Sequence, residues 1–367
     1  MAEPLKNFFS GQLVRRLAES LSRVHPSFPS AAFVRRASAG LEALELIDRG
    51  KHIAAALGDA LPADYPQAVD VLVRSLGAER VGEEGPAGME PFFYLPHTIF
   101  IADRGVPHFD VSLKAQAELT KRFTCEFSIR PFIAAEPERT LAALKRFARD
   151  ENAHVRRLAS EGTRLRLPWG ARVKWLDAHP EAVLELLELL RDDPSEMVRR
   201  SVANNLNDLG KVHPKLLYAT CKRWLNVQRR PLIEHALRSA VKRGEREALT
   251  LLGYGQKPQV ELGRVRFEPP KPKIGEKVRV HFALKSRAAK AQELLVDVAV
   301  HFVKASGKTA PKVFKLDRVT LSPKAEVELD VLVSLQVLTT RKPNPGRHPV
   351  DVLINGVKHT AGAFHVR

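Results

Sequence analysis

Residues 149–164 read RDENAHVRRLASEGTR and residues 191–208 read RDDPSEMVRRSVANNLND. Aligned on their basic pairs, Val155-Arg156-Arg157 falls on Val198-Arg199-Arg200, 43 residues further on. Repeats of about 40–47 residues are those of HEAT and armadillo arrays, built from two or three helices each. A degenerate third copy, RRPLIEHALRSAVKRG, begins at Arg229. In each copy a short polar turn, Asp193-Pro194-Ser195 in the second, joins two helices. A helix pair of that size cannot bury its apolar face alone, so successive pairs must stack as a solenoid.

The surrounding sequence agrees. Leu141, Leu144, Phe147 and Ala148 recur at helical spacing, as do Val183, Leu184, Leu186, Leu187 and Leu190. Pro180 and Pro194 punctuate short helices. Near residue 255 the period changes to two. HFALK, LLVDVAVHFV, VFKLDRVTL, VELDVLVSLQV, PVDVLING and AFHV, with a strand around Val265, give about seven strands. Asn355-Gly356 suits a tight hairpin turn, because both residues tolerate positive φ. The expected architecture is an all-α HEAT-like solenoid over 1–255, a linker over 256–262, and an all-β immunoglobulin-like sandwich over 263–367.

With 367 residues the chain is too long for one ordinary core. Its 44% hydrophobic and 28% charged content is that of a folded protein. The net charge of +17 points to a polyanionic partner, nucleic acid first. Residues 263–367 hold 20 Lys and Arg against 9 Asp and Glu, so the sandwich carries much of that excess. Cys125 and Cys221 lie far apart, which supports neither a disulfide framework nor a metal site. P-loop, GxGxxG, HExxH and GxSxG patterns are absent, so no cofactor is expected. His97, His108 and His154 do not cluster at ligand spacing and read as surface or structural hydrogen-bonding groups. No apolar run suggests a signal peptide or a membrane span, and the expectation is a cytoplasmic protein without a membrane partner.

Three acids stand out. Glu126 sits among Phe123, Phe127 and Ile129 with Arg130 one turn later, which suggests a partly buried helix. Glu161 has Arg157 one turn earlier and Arg164 three residues later, on the second helix of its repeat. Asp208 closes its helix with Asn204 one turn before it, where the helix dipole disfavours an acid. Each reads equally as an ordinary salt bridge or a solvated end. The pairs Arg156-Arg157, Arg199-Arg200 and Arg229-Arg230, with Arg238, recur in successive copies and would form a stripe able to follow a phosphate backbone. They read otherwise as solvated charges beside turns. Trp169, in a Pro-Trp-Gly turn, is placed to stack on a base or to pack in a core; Trp175 and Trp224 read as core.

The segments PLKNFF, GMEPFFYLPH, ELTKRFTCEFSIRPF, RRLASEGTRLRLPW, RRSVANNLNDLG, HALRSAVKRG and ALTLLGYG resemble the AlkC branch of the AlkC/AlkD alkylpurine DNA glycosylases, some of which carry an added immunoglobulin-like domain. The resemblance runs through most of residues 3–255. It implies hydrolysis of the N-glycosidic bond of cationic lesions such as 3-methyladenine and 3-methylcytosine in double-stranded DNA, without full base flipping. It implies Glu126, Glu161 and Asp208 as the catalytic acids, Arg156, Arg157, Trp169, Arg199, Arg200, Arg229, Arg230 and Arg238 as DNA contacts, and a monomer needing no protein partner in a bacterial cytoplasm, drawn to the nucleoid by DNA. The competing reading is a non-catalytic HEAT-repeat scaffold binding DNA or protein, which explains repeats and charge equally well. Convergence of the three acids in one basic groove separates the two.

Overall fold

The computed structural model describes residues 4–80, 82, 88–338 and 341–367. Among these, fifteen α-helices precede eight β-strands. The chain packs as two compact units, one of Met1–Leu217 with Trp224–Ala236 and one of Tyr218–Arg223 with Leu237–Arg367.

In the first unit the repeat copies are helix pairs. The first is Pro137–Phe147 with Ala153–Gly162, the second Pro180–Glu188 with Glu196–Leu209. Two further helices follow, Pro214–Trp224 and Arg230–Lys242, the second spanning the degenerate third copy. Each opening proline sits where a helix has no need of an amide donor. The polar turns are caps: Asn152 accepts from the His154 amide and Ser195 from the Val198 amide. Val155, Leu158 and Ala159 of one second helix, and Val198, Val202 and Leu206 of the next, are buried. Ser201 Oγ lies 3.0 Å from Ser160 Oγ, and Asn205 Nδ2 donates to the Ser160 carbonyl at 2.8 Å, so the copies also share buried polar bonds.

The recurring turn charges have a structural use. Arg156 grips Asp193 with two bonds of 2.7 and 3.0 Å, and Arg229 grips Asp192 at 2.6 and 2.7 Å. Each ties its own copy to the turn of the second. Seven α-helices of the described residues, from Gly11–Val24 to Arg130–Ala135, precede the repeats. There the buried Arg49 donates to the carbonyls of Lys6, Phe9, Glu42 and Leu44, stapling the amino-terminal turn to the first helices.

The strands of the second unit are β1 (Val260–Leu262), β2 (Arg266–Glu268), β3 (Lys277–Ser286), β4 (Gln292–Val303), β5 (Thr309–Leu321), β6 (Glu326–Ser334), β7 (Gly346–Ile354) and β8 (Val357–Val366). In one antiparallel sheet β3 pairs with β6 on one side and with both β1 and β2 on the other; the second sheet runs β5-β4-β7-β8. Alternate residues fill the space between: Val278, Val280, Phe282 and Leu284 against Val296, Val298, Val300, Val350 and Val352. The period-two reading holds because one face of each sheet is dry. Asn355 and Gly356 have φ of 47° and 75°, as a two-residue hairpin turn requires. Two details differ from the sequence expectation. The edge of β3 is shared by two short strands, giving eight, and residues 260–262 of the expected linker form β1. Among the described residues no helix is long and apolar enough to cross a membrane.

Candidate active site

The Ala153–Gly162 helix places Arg157 and Glu161 one turn apart, with Arg164 just beyond its end. Gly162 lets that end press against the preceding segment: a Cβ there would stand 2.6 Å from Ile129 Cγ2. The approach brings Glu126 to Arg157, whose Nη1 lies 3.3 Å from Glu126 Oε2 and whose Nη2 lies 3.7 Å from Glu161 Oε1. Arg164 Nη1 donates to Glu161 Oε1 at 2.6 Å, and its Nε to Asp208 Oδ2 at 2.8 Å. Lys211 Nζ closes the line on Asp208 Oδ1 at 2.7 Å. Three acids thus alternate with two arginines: Glu126, Arg157, Glu161, Arg164, Asp208.

Burial sets the electrostatics. It pushes the Glu161 carboxyl up, but Arg157, Arg164 and a 2.6 Å hydrogen bond from Ser201 Oγ outweigh it and hold the group below the ordinary carboxylate range. Burial acts to lower Arg164, and its two acids raise it. Both residues are therefore charged at neutral pH. Beside them, the Cys125 thiol is pushed up to about 12 by burial, so it is inert as a nucleophile.

A cleft of about 520 Å³ opens over this line, walled by Phe92, Phe123, Phe127 and Trp169 and floored by Glu126, Arg157, Glu161 and Arg164. Trp169 is 81% exposed with a φ of 63°, in the left-handed region. An indole left in water at a strained position forgoes its burial energy. Its turn is fixed from below by the buried Arg130, which donates to the carbonyls of Gly162, Arg164 and Ala171 at 2.9, 3.0 and 2.6 Å. Burial pushes this guanidinium down to about 10. Arg130 thereby positions both Trp169 and Arg164.

Other residues lie differently from the sequence reading. Glu126 sits in a turn before the Arg130–Ala135 helix, and its partner is Arg157, because Arg130 is spent on carbonyls. Asn204 Oδ1 accepts from His235 Nε2 at 2.9 Å, and Asp208 takes Arg164 and Lys211. Asp208 is 1% exposed and is absent from the cleft lining; it lies behind Arg164. Arg199 bonds to the carbonyls of Asp193 and Pro194, and Arg230 to Glu234, while Arg200 is exposed beside them. Arg156 and Arg229 hold the turns described above. Arg238 is half-buried in the second unit. Trp224 is core, whereas Trp175 is half-buried and stacks on His179. His97 is fully buried with neither ring nitrogen bonded, contrary to a hydrogen-bonding role. Sequence reasoning missed Arg130, Ser201 and Lys211, and the reach of Arg164 to Asp208. A signal for the last existed: their separation of 44 residues is one more than the 43-residue repeat, so the two face each other across stacked copies.

Stacked helix pairs carrying an acid–arginine cleft define a helical-repeat protein, here followed by an immunoglobulin-like domain. A family profile described as DNA alkylation repair enzyme matches residues 123–243, and one described as the C-terminal Ig-like domain of uncharacterised protein YhaZ matches residues 261–367. The chain belongs to the AlkC family. It is 35% identical to the Pseudomonas fluorescens alkylpurine DNA glycosylase AlkC, with a TM-score of 0.91 over 100% of both chains; that protein is bound to DNA containing an abasic site analog. It is also 33% identical to uncharacterized protein YhaZ of Bacillus subtilis (strain 168), over 96% of each chain.

Proposed function

We propose that this protein is a DNA glycosylase that hydrolyses the N-glycosidic bond of cationic alkylated bases, 3-methyladenine and 3-methylcytosine among them. The observation that carries the reading is the linkage of Glu126, Glu161 and Asp208 in one ion-pair line under an aromatic cleft. A scaffold has no use for three acids gathered on a protein of net charge +17.

The chemistry asks for negative charge at a fixed place. A base alkylated to a cation is already a good leaving group and needs no general acid. As the glycosidic bond breaks, positive charge moves onto the deoxyribose, and a carboxylate about 4 Å away at an effective dielectric of about 20 is worth roughly 4 kcal/mol before desolvation. Glu126 and Glu161 face the cleft and meet the cationic base and its sugar. Asp208 stabilises the oxocarbenium-like sugar and orients the attacking water. Trp169 packs against the lesion nucleotide, with arginines of the repeat on the backbone. The enzyme acts as a monomer on double-stranded DNA in a bacterial cytoplasm, associated with the nucleoid.

The test is release of 3-methyladenine and 3-methylcytosine from methylated duplex DNA by wild type and Asp208→Asn, each shown to be folded and DNA-bound. Release by wild type alone supports the reading. No release by wild type turns the assignment to a non-catalytic DNA- or protein-binding scaffold.

A further inference from the structure

The cations in the acid line differ in how they are held. Arg164 is locked: its side chain is 10% exposed and its bonds to Glu161 and Asp208 are 2.6 and 2.8 Å. Arg157 is loose. Its side chain is 26% exposed, and its contacts to Glu126 and Glu161 are 3.3 and 3.7 Å. The neighbouring Arg80 is close enough for mutual repulsion. Lys211 is looser still at 42% exposed, yet it covers the one Asp208 oxygen that Arg164 leaves open. Before DNA arrives, every acid is neutralised and Asp208 has no open face. For these acids to serve a positive sugar and base, some cation must leave, and burial says which.

We propose that Arg157 and Lys211 are exchangeable counter-ions: DNA phosphates draw them off Glu126, Glu161 and Asp208, so that binding of the backbone itself uncovers the acids. This rests on the glycosylase reading above and adds to it two positioning residues, with Arg164 as the fixed cation that keeps Glu161 and Asp208 aligned. The exchange conserves charge pairs. Each acid–cation pair lost is replaced by a cation–phosphate pair, and the freed carboxylates are then matched by the cationic lesion. Undamaged DNA supplies phosphates but no base cation, so on it the exchange leaves acids unmatched. The same step thus favours a charged base over a neutral one.

The experiment measures affinity for duplex DNA bearing a stable, positively charged abasic-site analogue, a pyrrolidine in place of the lesion deoxyribose, across a salt series, for wild type, Arg157→Gln, Lys211→Gln and the double variant. A cation that moves to a phosphate adds about 0.9 to the slope of log affinity against log salt. The expected slopes are lower by about 0.9 in each single variant and by about 1.8 in the double, with Arg157→Lys and Lys211→Arg restoring them. A second measurement separates exchange from simple loss of positive charge. Asp208→Asn releases Lys211 in advance, so it should tighten binding at least threefold with Lys211 present and leave it unchanged in the Lys211→Gln background. Unaltered slopes, or a strictly additive cycle, overturn the proposal. Neither readout needs an excisable base. A coupled cycle without base release by wild type sinks the glycosylase reading alone; release with an additive cycle sinks the exchange alone. Circular dichroism melts confirm folding, and the exposure of Lys211 keeps that arm informative if Arg157→Gln is unstable.

Discussion

Replacing Arg164 by methionine, which keeps an unbranched apolar stem and removes the charge, should be among the most damaging single changes in the first unit. Arg164 is 8% exposed and makes two charge-assisted bonds, to Glu161 and Asp208, which are 5% and 1% exposed. Bonds of that kind are worth about 1.5–3 kcal/mol each, and orphaning a buried partner costs about 3–5 kcal/mol. Glu161 keeps Ser201 and the longer Arg157 contact, and Asp208 keeps Lys211, so the lower end, about 3 kcal/mol, is expected. All three tryptophans lie in the first unit, so urea unfolding followed by tryptophan fluorescence reads that unit. The pH dependence identifies the cause. In wild type the Glu161 carboxyl is held below its unfolded value, so its contribution is full above that value and is lost as pH falls through the folded one. In Arg164→Met burial prevails and the carboxyl rises above its unfolded value. The folded variant then binds the extra proton, and its stability increases on acidification. The gap between the two proteins should therefore narrow between pH 7.5 and 5, and Glu161→Gln should recover about 1–2 kcal/mol in the Arg164→Met background while costing stability in wild type. A gap below about 1 kcal/mol, or one equal at both pH values, would refute the claim that Arg164 supports the two acids.

Trp169→Ala should leave urea stability within about 0.5 kcal/mol, since the ring is 81% exposed, while weakening engagement of lesion-bearing DNA by about 1–3 kcal/mol of lost stacking, read as a fall in affinity or in single-turnover excision. His97 is fully buried and burial depresses its ring to about 4 from an ordinary 6.5, so unfolding takes up a proton between those values and stability falls as pH drops through that window, by roughly 3 kcal/mol at its foot; His97→Leu should flatten that slope in pH-dependent urea titrations, and an unchanged slope would place the acid sensitivity elsewhere. Gly162→Ala sets a methyl 2.6 Å from Ile129 Cγ2 and should cost about 1–3 kcal/mol; because it pushes the Glu126 segment off Arg157, excision should fall with it, whereas Gly162→Ala combined with Ile129→Leu, which removes the Cγ2 branch at similar volume, should recover part of both.

Much of the architecture was legible in one dimension because it is periodic. A 43-residue echo, prolines opening helices and Asn152 and Ser195 capping them determine paired helices that have to stack. Alternation such as that from Val278 to Leu284 determines a two-faced sheet, and Asn355-Gly356 the turn between β7 and β8. The acids themselves were visible as Glu161 between two arginines and as the blocks around Glu126 and Asp208. Only the tertiary structure decided their partners. Glu126 chose Arg157 over Arg130, its nearer neighbour in sequence, because Arg130 is buried and its donors are spent on three carbonyls. Asp208 chose Arg164, one repeat away, over Asn204 on its own helix. The turn arginines that read as a phosphate-tracking stripe divide by their surroundings: Arg156 and Arg229 found acids in the adjoining copy, and Arg200 found none among the described residues. Periodicity records which face of an element is dry, and that is a local property. Which charge answers which depends on distances across stacked copies, and a side chain spent on one partner is lost to another.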